Sequence, residues 1–130
     1  MLNFTMRYLL IAALCVLGLS PSAALRLPST PQQLTANASG VANGMTDAAI
    51  VTTASLSTTA GSTFTLTFNS QAITTQSLVL VTVGNGSNTA GTPNVASVTA
   101  ANTSASIVVQ NIHATSAFNG TLQIVIVVFN

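Results

Sequence analysis

The last ten residues, Thr121–Asn130, constrain this chain more than any other stretch. They read as a β-strand whose side chains alternate between two faces. Leu122, Ile124, Ile126 and Val128 point one way, Val125, Val127 and Phe129 point the other, and Gln123 is the only polar residue between Leu122 and Phe129. Both faces are apolar, so both need cover. One face must be the domain core. The other needs a second layer of the same chain, another copy of the chain, or contact with lipid or a different partner. Val125, Val127 and Phe129 are therefore the candidate oligomer interface.

The same logic runs back along the chain. Ser77–Val83 is likewise apolar on both faces. Thr63–Phe68 alternates strictly, with Phe64, Leu66 and Phe68 expected inward and Thr63, Thr65 and Thr67 outward. Ser104–Ile112 sets Ile107 and Val109 against Val108, Gln110 and Ile112. Ala48–Ser57 is expected as the first strand and Val95–Ala100 as a short one. Turn residues punctuate the series at Gly61, across Gly84–Pro93 and at Asn119-Gly120, the last a two-residue hairpin signal. Ile73 and Phe118 are the loop residues expected to tuck into the core. About six strands and no helical period beyond residue 24 predict an all-β fold. The expected architecture is a small antiparallel β-sandwich of jelly-roll or Greek-key type, with an up-and-down β-barrel as the alternative.

The N-terminus is built differently. Arg7 precedes the apolar run Tyr8–Leu19, and the small residues Ser22 and Ala24 follow Pro21. This is the layout of a secretory signal peptide, expected over 1–24. An uncleaved anchor is the alternative, but a spanning helix needs about 20 apolar residues and Pro21 interrupts this one. Cleavage after Ala24 removes Cys15, the only cysteine, and leaves no disulfide to form. Residues 25–47 show neither helical nor strand period and are expected as a flexible polar leader. The sharper reading makes them an arm that packs on a neighbouring subunit. Residues 48–130 are the sandwich domain.

Charge narrows the function. Charged residues make up 2% of the chain, against about 25% in ordinary globular domains. They are Arg7, Arg26 and Asp47, with His113 as the single histidine. No basic patch exists to displace counterions from a nucleic acid, and no field exists to steer charged partners. Stability is expected to depend little on salt or pH. Charge is also missing as a guard against edge-to-edge aggregation.

Catalysis needs groups that move protons or attack. A Ser-His-Asp set would have to use His113 and Asp47, no Gly-x-Ser-x-Gly elbow is present, and Asp47 lies in the expected leader. The bland role for His113 is to close a strand end. No metal-ligand cluster, phosphate loop or dinucleotide fingerprint is legible, and no cofactor is expected. What recurs beyond the expected signal peptide is Asn-x-Ser/Thr, at Asn37, Asn85, Asn102 and Asn119. These are candidate N-glycosylation sites, a motif that chance produces often in so Asn- and Thr-rich a chain. A glycan on each would solubilise where charge does not. The expectation is a secreted, extracellular, non-enzymatic structural or surface-display module, a homo-oligomer joined through its last strand, with no nucleic-acid partner and no membrane contact after cleavage. The alternative is a glycan- or surface-binding module using the loops 84–93 and 113–120. Against it, Tyr8 and the absence of Trp leave no residue of either type beyond the signal to stack on a sugar ring.

Overall fold

A computed structural model of the chain describes residues 30–130. The expected signal peptide and the first residues of the expected leader lie outside them. Eight strands follow in chain order: β1 Gln32–Thr35, β2 Val41–Asn43, β3 Ala48–Thr52, β4 Thr63–Asn69, β5 Leu78–Asn85, β6 Pro93–Ala101, β7 Ser104–Asn111 and β8 Leu122–Phe129. They form two four-stranded sheets, ordered β1-β3-β8-β5 and β2-β4-β7-β6. The chain crosses between the sheets at every connection except β6 to β7. The fold is an all-β sandwich.

Alternation places the core between the layers. Leu122, Ile124 and Ile126 of β8 face Leu66 and Phe68 of β4 and Ile107 and Val109 of β7, all fully buried in one cluster. The threonines of β4 turn to solvent or its edge, because a period of two leaves them no other face. Ile73 and Phe118 close the cluster from loops, as their isolation among polar residues suggests. Phe118 is held in place by its own N–H, which donates to the Thr58 carbonyl at 3.0 Å.

The expected six strands are all present, but Ala48–Ser57 is strand only as far as Thr52. The chain then stays tied to β8: Thr53 N–H donates to the Leu122 carbonyl, Leu122 N–H to the Thr53 hydroxyl, and Leu56 N–H to the Gly120 carbonyl. β5 and β6 belong to separate sheets, which excludes the up-and-down barrel. The sheets are mixed rather than purely antiparallel, since β1 pairs parallel with β3 and β2 parallel with β4.

Those two parallel strands come from residues expected to be a flexible leader. The described part of that stretch, from residue 30 to 47, is instead an integral edge of both sheets. Leu34 stands opposite Val51 and Ala42 opposite Phe68. The turn between β1 and β2 depends on Gly40, whose φ is +75° and whose added Cβ would stand 2.5 Å from the Thr65 carbonyl oxygen. Asn37 completes it, its side-chain oxygen accepting from Val41 N–H at 2.9 Å.

Asn119-Gly120 is not a hairpin. It lies on the crossing from β7 to β8, and those strands are in different sheets. Among the described residues the one tight hairpin joins β6 to β7, with Ala101 opposite Ser104 and the turn at Asn102-Thr103. Thr103 has φ 64°, a conformation that β-branched residues avoid. The loop after β4 holds it there: Thr103 N–H donates to the Ile73 carbonyl at 2.9 Å, and Ser70 N–H donates to the Thr103 carbonyl at 3.0 Å.

Candidate functional site

The outer face of the first sheet is the feature least explained by folding alone. Cross-strand register decides its membership, because directly opposed residues share a face. Leu78 opposes Phe129, Leu80 opposes Val127, and Thr82 opposes Val125. On the other flank of β8, Ile50 opposes Val125. The face is thus apolar toward the Phe129 end and turns polar toward the Gln123 end, where Gln123 opposes Thr52 and Gly84. Val125, Val127 and Phe129 are half-buried. Leu78 is 59% exposed and Leu80 51% exposed.

The three residues named from sequence lie where expected, on the face away from the core. Leu78, Leu80 and Ile50 complete the patch and escaped the sequence reading. The signal for the leucines was there, in the two-faced character of Ser77–Val83. What was missing was the register that sets β5 beside β8.

The loops 84–93 and 113–120 meet at one end of the sandwich. Their amides are spent on each other. Asn119 accepts from Thr89 N–H at 2.8 Å and Ala90 N–H at 3.1 Å, and its amide N–H donates to the Thr89 hydroxyl. Asn88 is buried, accepts from Asn119 N–H and donates to Asn85 Oδ1 and the Gly91 carbonyl. Gly120 allows this contact, since a Cβ there would come within 2.7 Å of the Ser87 and Asn88 backbone. Beneath them Asn111 is fully buried, accepting from Thr92 and His113 N–H and donating to the Thr58 and Ser116 carbonyls. An amide has two donors and an acceptor with two lone pairs, so Asn111 uses its whole capacity.

His113 closes the end of β7. Its Nδ1 accepts from Thr115 N–H at 3.1 Å and Ser116 N–H at 2.9 Å. Asp47 sits at the opposite end of the sandwich, where its carbonyl accepts from Val128 N–H. The structure therefore does not bring His113 and Asp47 together. No group of three His, Cys, Asp or Glu side chains that could hold a metal ion occurs among the described residues. No helix among them is long and apolar enough to cross a membrane.

The four sequon asparagines are all exposed. They differ in how their amides are used. Asn37 and Asn85 each accept one hydrogen bond, and Asn119 is committed to the loop 89–90. Asn102 stands at the tip of the β6–β7 hairpin.

Searches against protein-family models, curated proteins and solved structures find no match to this chain. The class is therefore defined by its own architecture: an all-β sandwich of two mixed sheets, compatible with a structural or binding role.

Proposed function

We propose that this protein is a secreted, non-enzymatic structural or surface module that assembles with copies of itself through the outer face of its first sheet. The observation that carries this reading is the apolar patch on the outer sheet face, where Leu78 and Leu80 are exposed and Ile50, Val125, Val127 and Phe129 are half-buried. Covering a large aliphatic or aromatic side chain fully is worth about 1.5–3 kcal/mol. These residues are already partly covered, so the gain on association is a fraction of that for each. A monomer that left them in water would forgo it. A second copy is a suitable cover because the patch carries no ionisable side chain, so a self-contact opposes no like charges.

The direct test is Val127→Lys, which puts an ammonium at the centre of the face. The assembly should lose mass while the domain keeps its fold. An assembly of unchanged mass would sink the proposal.

In a host that glycosylates, Asn102 is the sequon best placed to carry a glycan. A native-host mass equal to the bare polypeptide would rule that out.

The convergence of the loops 84–93 and 113–120 supports a second reading, a binding module for a glycan or a surface. Ser87, Thr89 and Thr115 are the exposed hydroxyls it would use. Saturable, selective binding on a glycan array, lost on Thr89→Ala, would carry that reading. An array with no selective signal would remove it.

A further inference from the structure

Among the described residues His113 is the one side chain of a type that ordinarily changes charge between about pH 5 and 8. It is half-buried, where the chain leaves β7 to cross to β8. The loop that it begins, 113–120, meets the end of β7, the stretch 53–62 and the loop 84–93. None of these carries Asp, Glu, Lys, Arg, Tyr or Cys. Asp47, the other described residue with an ionisable side chain, sits at the opposite end of the sandwich. A charge that appears at this end on acidification can therefore belong only to His113.

The ring is used as an acceptor. Its Nδ1 receives Thr115 N–H at 3.1 Å and Ser116 N–H at 2.9 Å. Only an unprotonated ring nitrogen accepts a hydrogen bond. Two backbone donors aimed at Nδ1 thus leave the single ring proton on Nε2, and the neutral ring is the form that closes the turn. Imidazolium carries a proton on both nitrogens. Its Nδ1–H would point at the N–H groups of Thr115 and Ser116, with no acceptor among them. The charged ring and the closed turn exclude each other.

The turn has few other ties. The Ser116 carbonyl accepts from Asn111 Nδ2 at 2.8 Å, and the Ala117 carbonyl accepts from Gly91 N–H at 3.1 Å. Thr115 is exposed and Ser116 half-buried, so N–H groups released from Nδ1 turn to water rather than stay buried and unpaired. Both flanks are anchored independently of the ring. His113 N–H donates to Asn111 Oδ1 at 3.2 Å, and Phe118 N–H donates to the Thr58 carbonyl at 3.0 Å. The segment between them can open locally while the core stays folded.

We infer that protonation of His113 opens the turn 113–116, giving this end of the sandwich a neutral closed form and an acid open form. The charge change is at Nδ1, and the two-state element is the turn that Nδ1 holds. Ser116 and Ala117 are the contacts through which the change reaches Asn111 and the loop 84–93. The switch operates under either reading of function. In a module that binds through its loops, it makes binding acid-sensitive. In a module that assembles through its first sheet, it acts at the end away from Phe129 and Leu78.

The experiment is amide hydrogen exchange of the full chain, followed by NMR between about pH 5 and 8, with rates corrected for the intrinsic effect of pH on a free amide. His113 ring signals report proton uptake in the same samples. Two variants bracket the parent. His113→Asn keeps a side-chain acceptor that bonds the backbone two residues on and takes up no proton. It writes a new Asn-x-Thr sequon, so all three proteins come from a host that adds no N-glycans. His113→Ala removes the acceptor.

In the parent, protection of the Thr115 and Ser116 amides should fall about tenfold as the ring takes up its proton, the scale of one or two net hydrogen bonds. The Leu66 and Ile124 amides in the core should keep their protection. His113→Asn should hold the turn closed across the range, and His113→Ala should leave it open across the range. Proton uptake by the ring with no loss of protection at Thr115 and Ser116 would overturn the switch. The same acid opening in His113→Asn would place its cause elsewhere and overturn it too. Full protection in His113→Ala would show that Nδ1 does not hold the turn. Core amides that lose protection together with the turn would mean global unfolding, and no local switch would remain.

Discussion

Leu80 on β5 stands directly opposite Val127 on β8, on the sheet face that points away from the core. The inner face of the same two strands is closed over by the second sheet, whereas Leu80 remains 51% exposed. One strand pair thus supplies both the core and a face that the described chain covers only in part.

Val127→Lys tests that division of labour. Val127 contributes to the outer face and not to the buried cluster, so the folded monomer should tolerate a lysine whose stem lies along the sheet. Light scattering should show a smaller assembly. The unfolding midpoint measured below the association threshold should move by less than about 1 kcal/mol, the scale of surface substitutions. Ile126→Lys, one residue earlier, points into the core and should abolish folding.

Asn111→Leu should be severe despite its similar branched shape. It would leave the Thr92 and His113 N–H groups and the Thr58 and Ser116 carbonyls without their partner. Each buried orphan costs about 1–3 kcal/mol, less where a loop can relax toward water. Urea unfolding should register a loss of about 3–5 kcal/mol. A loss under about 1 kcal/mol would mean that the amide does not organise this end of the sandwich.

Thr103→Gly should stabilise the protein. The left-handed backbone at Thr103 costs an L-residue about 1–2 kcal/mol, and glycine returns that at an entropic cost of about 0.5–1 kcal/mol. Thr103 itself offers only its backbone to Ser70 and Ile73, so those bonds survive. Calorimetry should find the melting temperature raised by roughly 2–5 °C. A fall would show that its side chain packs more than its backbone strains.

Gly40→Ala asks whether the N-terminal strands belong to the domain. The added methyl would meet the Thr65 carbonyl oxygen at 2.5 Å in a backbone with φ +75°. Strain of this kind costs about 2–3 kcal/mol. Global unfolding should shift by that amount, because β2 is bonded to β4 at the core. A loosely attached leader would leave global unfolding unchanged.

Legibility followed the range of the interactions. β4 was readable because Phe64, Leu66 and Phe68 alternate with threonines inside one strand. β8 was readable in both its faces for the same reason. β1 and β2 were not. They are four and three residues long, their side chains are mostly polar or small, and parallel pairing to β3 and β4 leaves no hairpin in the sequence. Asn119-Gly120 misled because its glycine is required for a different cause, the close approach of Ser87 and Asn88. The opposite error hid the true hairpin, whose turn uses Thr103, a residue no turn rule selects. The patch was half legible: the facing of Val125, Val127 and Phe129 follows from alternation, but Leu78 and Leu80 join them only through register.

The solution mass of the purified protein, by size exclusion with light scattering over a wide concentration range, bears most directly on the central claim. Self-assembly through the first sheet requires a stable multiple of the chain mass that persists on dilution to the micromolar range and shrinks with Val127→Lys. A monomer at every concentration would contradict it, and the outer face of β8 and β5 would then have to meet something other than its own copy.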